Sequence, residues 1–203
     1  MPRLNLPSDL RERLLLEVYR QADQMDWEFL SNTEKTAQYR KWVEDPRVGG
    51  VLIEHHAEKD IRVWLKDVPM KEYARSQEGI GHYVRYIPTR FRGPEEVARA
   101  AFGSDWAVVP NTVDVKPNHC LASKDRIERY VFWGRDPQFK DLLYAALEIA
   151  VTKGHEPAVV ITTRDGEYVP EEGKELHKRI AAHCKIDISY LHRSMIRNPD
   201  YIG

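Results

Sequence analysis

Residues 130–193 read YVFWGRDPQFKDLLYAALEIAVTKGHEPAVVITTRDGEYVPEEGKELHKRIAAHCKIDISYLHR, with apolar runs and helical segments in alternation. Tyr130-Val131-Phe132-Trp133 is a short, unbroken apolar run of the kind a buried strand needs. Asp136-Pro137 then opens a helical segment that runs to Lys153-Gly154, with the glycine at its far end. A second strand is expected over Ala158–Thr162, a second helix over Glu171–Cys184 and a third strand over Ile186–Leu191. Strands separated by whole crossover helices pair in parallel, so the segment reads as a βαβαβ unit.

The N-terminal third is expected to be helical. Ser8 is the expected cap of a helix carrying Leu10, Leu14, Val18, Ala22 and Met25. Ser31 and Glu34 have capping-box spacing before a helix presenting Tyr39, Trp42 and Val43, which Asp45-Pro46 ends. Gly49-Gly50 reads as a turn. Two β-prone runs, Val51–His55 and Ile61–Leu65, suggest a hairpin turning at Ala57-Glu58-Lys59-Asp60. Helices are expected over Met70–Glu78 and from Gly93-Pro94 to Gly103. A second hairpin is expected from Trp106–Val109 and Val113–Val115 around Pro110-Asn111.

The fold class is therefore α/β or α+β, a helical N-terminal part packed on a mixed sheet with a C-terminal parallel βαβαβ unit. The expectation is a single domain over residues 1–203, with a helical part at 1–48, hairpins and short helices at 49–125, and the βαβαβ unit at 126–203. At 203 residues the chain has length enough for a full core, with 42% hydrophobic and 31% charged residues. Cys120 and Cys184 are too few for a disulfide framework. The N-terminus lacks the apolar run of a signal peptide, and no segment has the length of apolar residues a bilayer requires. A cytoplasmic protein is expected.

With 31 basic and 32 acidic residues, the chain is nearly neutral. That balance excludes a general nucleic-acid coat but permits a local basic face. In open α/β sheets ligands gather at the carboxyl ends of parallel strands. Three loops leave that edge here, carrying Gly134 and Arg135, then Thr162, Thr163 and Arg164, then Arg193. Guanidinium forks suit phosphate or carboxylate, and the two threonines add hydroxyls. The plainer reading pairs Arg135 and Arg164 with Asp136 and Asp165. Neither standard glycine-rich nucleotide fingerprint is present.

Residues 71–92 form a second basic region. Lys71, Arg75, Arg85, Arg90 and Arg92 outnumber Glu72 and Glu78 by three charges, with Tyr73, Tyr83, Tyr86, Phe91 and His82 interleaved. Cations beside stacking rings suit single-stranded DNA or RNA. Alternatively the rings are core residues covered by arginine stems.

Asp105, Asp114 and Lys116, with Glu54 as a further carboxylate, are candidate catalytic residues of a metal-dependent nuclease or phosphodiesterase holding Mg²⁺. A tight hairpin between Asp105 and Asp114 would hold the two acids too far apart. His55-His56, His119-Cys120 and His183-Cys184 lack zinc-ligand spacing. The leading expectation is a nucleic-acid- or phosphate-binding protein. The alternatives are a nucleotide- or small-anion-binding protein, and a non-catalytic subunit whose five tryptophans and ten tyrosines contact a protein partner.

Overall fold

The structure, a computed structural model, describes residues 4–27, 30–115 and 117–202. Its contacts gather the chain into two compact units, Met1–Arg90 with Arg197–Gly203, and Phe91–Ile196. Helices pack on a sheet that mixes parallel and antiparallel strands.

The first unit is helical. It contains α1 (Ser8–Gln24), α2 (Asn32–Glu44), α3 (Glu58–Asp67) and α4 (Pro69–Gln77). Leu14, Leu15, Val18, Tyr19 and Ala22 recur on one face of α1, and all are fully buried. They share a core with Trp42, Ile61, Leu65 and Tyr73, where each buried aliphatic side chain contributes about 1.5–3 kcal/mol. The expected capping box starts α2: Ser31 Oγ accepts from Glu34 N, and Glu34 Oε2 accepts from Ser31 N. Ser8, the expected cap of α1, instead lies inside the helix; Pro7 precedes it and no side chain caps it. A polar tie joins the first two helices, as Trp42 Nε1 donates to Gln21 Oε1 at 2.7 Å.

The hairpin expected over Val51–His55 and Ile61–Leu65 does not form. Gly50–Leu52 is a 3-10 turn, and residues 58–67 are the helix α3. Ile61, Trp64 and Leu65 fall at helical spacing and bury together. Glu58 and Asp60 sit at the positive end of the helix dipole and Lys66 at the negative end. Burial of one face outweighs the β-preference of its branched residues.

The second unit is built on a sheet of β2 (Ala107–Val108), β3 (Asp114–Val115), β4 (Asn118–Lys124), β5 (Ile127–Gly134), β6 (Ala158–Thr163) and β7 (Asp187–His192), with α5 (Pro94–Phe102), α6 (Phe139–Lys153) and α7 (Glu171–His183). The strand order is β2-β4-β5-β6-β7, with β3 also on β4. β5, β6 and β7 are parallel, as the expected βαβαβ unit requires. The second expected hairpin is corrected: β2 and β3 each pair with β4, a strand the sequence reading did not foresee.

Alternation along the strands supplies two cores. Phe132, Val159 and Ile161 face Leu142, Leu143 and Ala146 of α6. Val131, Trp133 and Val160 point the other way, toward Val97 and Ala98 of α5. β6 is buried on both sides, which explains its unbroken apolar reading. A separate ribbon pairs β1 (Thr89–Phe91) with β8 (Met195–Arg197), and the division between the units falls within both strands.

Candidate functional site

Parallel register places the three arginine loops at one edge of the sheet: Gly134 pairs with Ile161, Ile161 with Tyr190, and Thr163 with His192. The guanidinium of Arg135 meets Glu167 Oε1 at 3.2 Å. The second oxygen of Glu167 accepts the backbone N–H of Arg164 at 3.1 Å, so one carboxylate ties two loops together. Arg164 and Arg193 converge on Phe91, their guanidinium carbons 4.6 and 4.5 Å from the ring centroid. Arg193 is 3% exposed, donates its backbone N–H to Thr163 O and directs its guanidinium toward Gly93 O.

These interactions hold the edge together from inside. Thr162 is buried and Thr163 half-buried. A Cβ at Gly134 would stand 2.7 Å from Gln138 Oε1 and 3.1 Å from Leu142, so the glycine admits the start of α6. Asp136, expected to cap that helix, lies in a 3-10 turn before it and faces His177 Nε2 at 3.3 Å. His177 is itself buried, its ring centroid 4.0 Å from that of Phe139 at a 30° tilt and its Nδ1 3.4 Å from the Tyr190 hydroxyl. Burial raises the Tyr190 phenol above its ordinary pKa, with the charges of Asp136 and Glu175 adding to the effect. The sequence reading missed Glu167 and His177, because neither adjoins an arginine in the chain.

The nuclease candidates do not gather. Asp105 pairs with Lys124 at 3.0 Å, and that hydrogen bond holds its carboxyl below the usual carboxylate range. Asp114 lies in register with His119, five residues back along β4, about 16 Å away at 3.3 Å per residue. Two carboxylates that share a cation must each approach it within about 2.1 Å. Lys116 lies outside the described residues, and Glu54 is exposed in the helical unit. Among the described residues no three His, Cys, Asp or Glu side chains are grouped to hold a metal. Cys120 and Cys184 are free thiols.

In the 71–92 segment the rings turn inward. Tyr73, Tyr86 and Phe91 are buried and Tyr83 is half-buried. Arg85 lies 4.8 Å over Tyr86, donates to its hydroxyl at 2.7 Å and meets Glu12 at 3.5 Å. Arg90 bonds Asn198 and faces Asp200. Arg92 is exposed. The arginine stems therefore cover core rings.

A cationic groove that the sequence reading did not foresee lies between α2 and α3. Lys59, Arg62 and Lys66 recur along α3 over about 10 Å. Opposite them α2 presents Asn32, Lys35, Thr36, Tyr39 and Arg40. Two hollows of about 420 and 620 Å³ adjoin there and share Arg62. Glu44 and Glu58 line only the smaller. Arg40, Lys59, Arg62 and Lys66 are exposed and, among the described residues, form no ion pair. Burial pushes the Tyr39 phenol up to about 12, so it remains a neutral donor at physiological pH. Lys35 lies 5.7 Å over the Trp27 ring.

Comparison with protein-family models, curated proteins and solved structures finds no match for this chain. No helix among the described residues is long and apolar enough to cross a membrane.

Proposed function

We propose that the protein binds a nucleic-acid strand through the α2–α3 groove. One observation carries the reading: Arg40, Lys59, Arg62 and Lys66 surround adjoining hollows without ion-pair partners among the described residues. Elsewhere Arg20, Arg47, Lys71, Lys124, Arg129 and Arg135 each face a carboxylate. Cations in excess over the carboxylates beside them, Glu44 and Glu58, attract a polyanion and release its condensed counterions on binding. Asn32, Thr36 and Tyr39 add hydrogen-bonding groups beside them. The reading does not include cleavage, because Asp105 and Asp114 stand apart. Two free cysteines suit a reducing compartment, and the proposal places the protein in the cytoplasm.

Fluorescence anisotropy with labelled single-stranded DNA, single-stranded RNA and duplex, repeated across salt concentrations, tests it. Four neutralised phosphates on a single strand give a log–log salt slope of about −3. Arg62→Ala removes about 0.7 from that slope and weakens binding to every sequence alike. Absence of salt-dependent binding, or the same slope in an Arg62→Ala/Lys66→Ala double variant, rejects the groove.

A further inference from the structure

We propose that a separate hollow in the helical unit binds a small amphipathic anion, a molecule with an apolar body and a single carboxylate, sulfonate or phosphate head. The hollow has a volume of about 600 Å³, within the range typical of small-molecule sites. Leu16 of α1, Pro46, Val51, Tyr86 and Tyr201 give it apolar walls, and Arg13, Arg20, Arg47 and Glu17 supply the charges.

Two independent features define the occupant. The first is the placement of apolar surface. Leu16, Val51 and Tyr201 are 36%, 39% and 37% exposed. Ile53 and Ile202 are also exposed, two residues from Val51 and one from Tyr201. These five are all the exposed large hydrophobic side chains of the helical unit among the described residues. Exposed apolar side chains scattered singly need no explanation, but three of these five, Leu16, Val51 and Tyr201, line one concavity, which marks a binding surface.

The second feature is charge. Arg20 grips both oxygens of Glu17, at 3.0 and 2.6 Å, and Arg47 reaches the same carboxylate at 3.3 Å. One glutamate thus positions two guanidinium groups beside the apolar wall, and Asp45 steadies Arg47 from its outer side. Arg13 forms no ion pair among the described residues. With three arginines against Glu17 and the adjoining Asp45, one positive charge remains in excess. An uncharged apolar ligand leaves that excess unmet, and a cationic amphiphile is repelled. A chain of ten carbons or a fused aromatic ring with one anionic head satisfies both features. The α2–α3 groove has a smaller apolar lining, Val43, Tyr39 and Val63, among more cations, and so favours a polyanion over an amphiphile.

Isothermal titration of the full chain with sodium decanoate, below its micellar range, tests the proposal beside decyltrimethylammonium and decanol at matched concentration. Decanoate is expected to bind one to one and the other two to bind at least tenfold more weakly. Arg13→Glu weakens decanoate binding about tenfold, since a hydrogen bond to a charged group is worth about 1.5–3 kcal/mol. Leu16→Asp abolishes it, and both side chains are exposed enough to change without opening the core. Arg62→Ala leaves decanoate binding unchanged whether or not oligonucleotide binding is lost, which separates this site from the groove. Equal binding of anion and cation, or decanoate binding unaltered in both Arg13→Glu and Leu16→Asp, overturns the proposal. Concentration-dependent self-association that occupies the hollow and excludes decanoate overturns it as well.

Discussion

Gly49→Ala is expected to be among the most damaging single-methyl additions in the helical unit. The φ of Gly49 is −80°, which any residue adopts, so its identity is set by space. A Cβ there would stand 2.6 Å from both the Cα and the carbonyl oxygen of Val43 and 2.7 Å from the carbonyl oxygen of Trp42. All three are backbone atoms and cannot rotate aside. Ordinary carbon contacts lie at about 3.5–4.0 Å, so the turn must move by about 1 Å. Overpacking of this kind costs about 1–3 kcal/mol. The movement also strains the Gly49 N–H bond to Trp42 O at 2.8 Å and the Gly50 N–H bond to Asp45 O at 2.9 Å. At about 1 kcal/mol each, these bring the expected loss to about 3–5 kcal/mol. The matched control is Gly81→Ala, where φ is +91° and the nearest atom is a flexible Glu72 oxygen at 3.7 Å. Its cost is the backbone alone: with ψ at 173° the residue sits in a region that only glycine adopts readily, at about 1–3 kcal/mol. Urea unfolding followed by tryptophan fluorescence measures both, since Trp27, Trp42 and Trp64 lie in this core. A Gly49→Ala loss no larger than that of Gly81→Ala refutes the argument. The same shift displaces Pro46, Arg47 and Val51, so decanoate affinity falls with stability.

Two further expectations concern titration. Burial, helped by the charge of Glu95, pushes the Cys120 thiol up to about 12, while Cys184 is only half-buried. A thiol reagent at pH 8 should therefore modify one cysteine promptly and the second only after denaturant is added; prompt reaction of both contradicts the placement of Cys120. Hydrogen bonds from Arg20 and Gln21 hold the Glu17 carboxyl below its ordinary range. A depressed carboxylate stabilises the fold above its unfolded value, and that contribution disappears as pH falls through the folded one. Glu17→Gln should cost about 1 kcal/mol or less near neutrality and flatten the acid-side decline in Tm, measured by differential scanning fluorimetry. An unchanged decline dismisses Glu17 as its source.

The parallel strands were legible because β6 and its neighbours carry apolar side chains on both faces, leaving few other placements for such runs. β4 escaped notice for the opposite reason. Its buried positions are the small residues Cys120 and Ala122, which give little alternation against Asn118, His119 and Lys124. The convergence of the edge loops followed from topology alone. The way Glu167 and Phe91 engage their arginines did not, since those partners come from distant segments. The misreading of residues 51–65 had a functional consequence. On a strand, Lys59, Arg62 and Lys66 divide between faces; on a helix they form one stripe, and only then does a groove with α2 exist. The hollow beside α1 was equally hidden, because Leu16, Val51 and Tyr201 become neighbours only after the chain has returned from residues 91–196.

That return sets an order of assembly. Residues 91–196 are contiguous, so the sheet unit draws on no residue outside its own stretch. The helical unit is not contiguous, because one of its pieces is encoded downstream of the whole insertion. Asn198, whose amide donates to Val84 O at 2.6 Å and to Ile87 O at 2.8 Å, leaves the ribosome only after every sheet residue. Until it docks, the Val84 carbonyl holds only the Ile87 N–H and the Ile87 carbonyl lacks the Asn198 amide, and Tyr201 has yet to reach the hollow beside α1. A chain ended after residue 196 holds every residue of the sheet unit and lacks part of the first, so limited proteolysis of that fragment is expected to protect residues 91–196 more than 1–90.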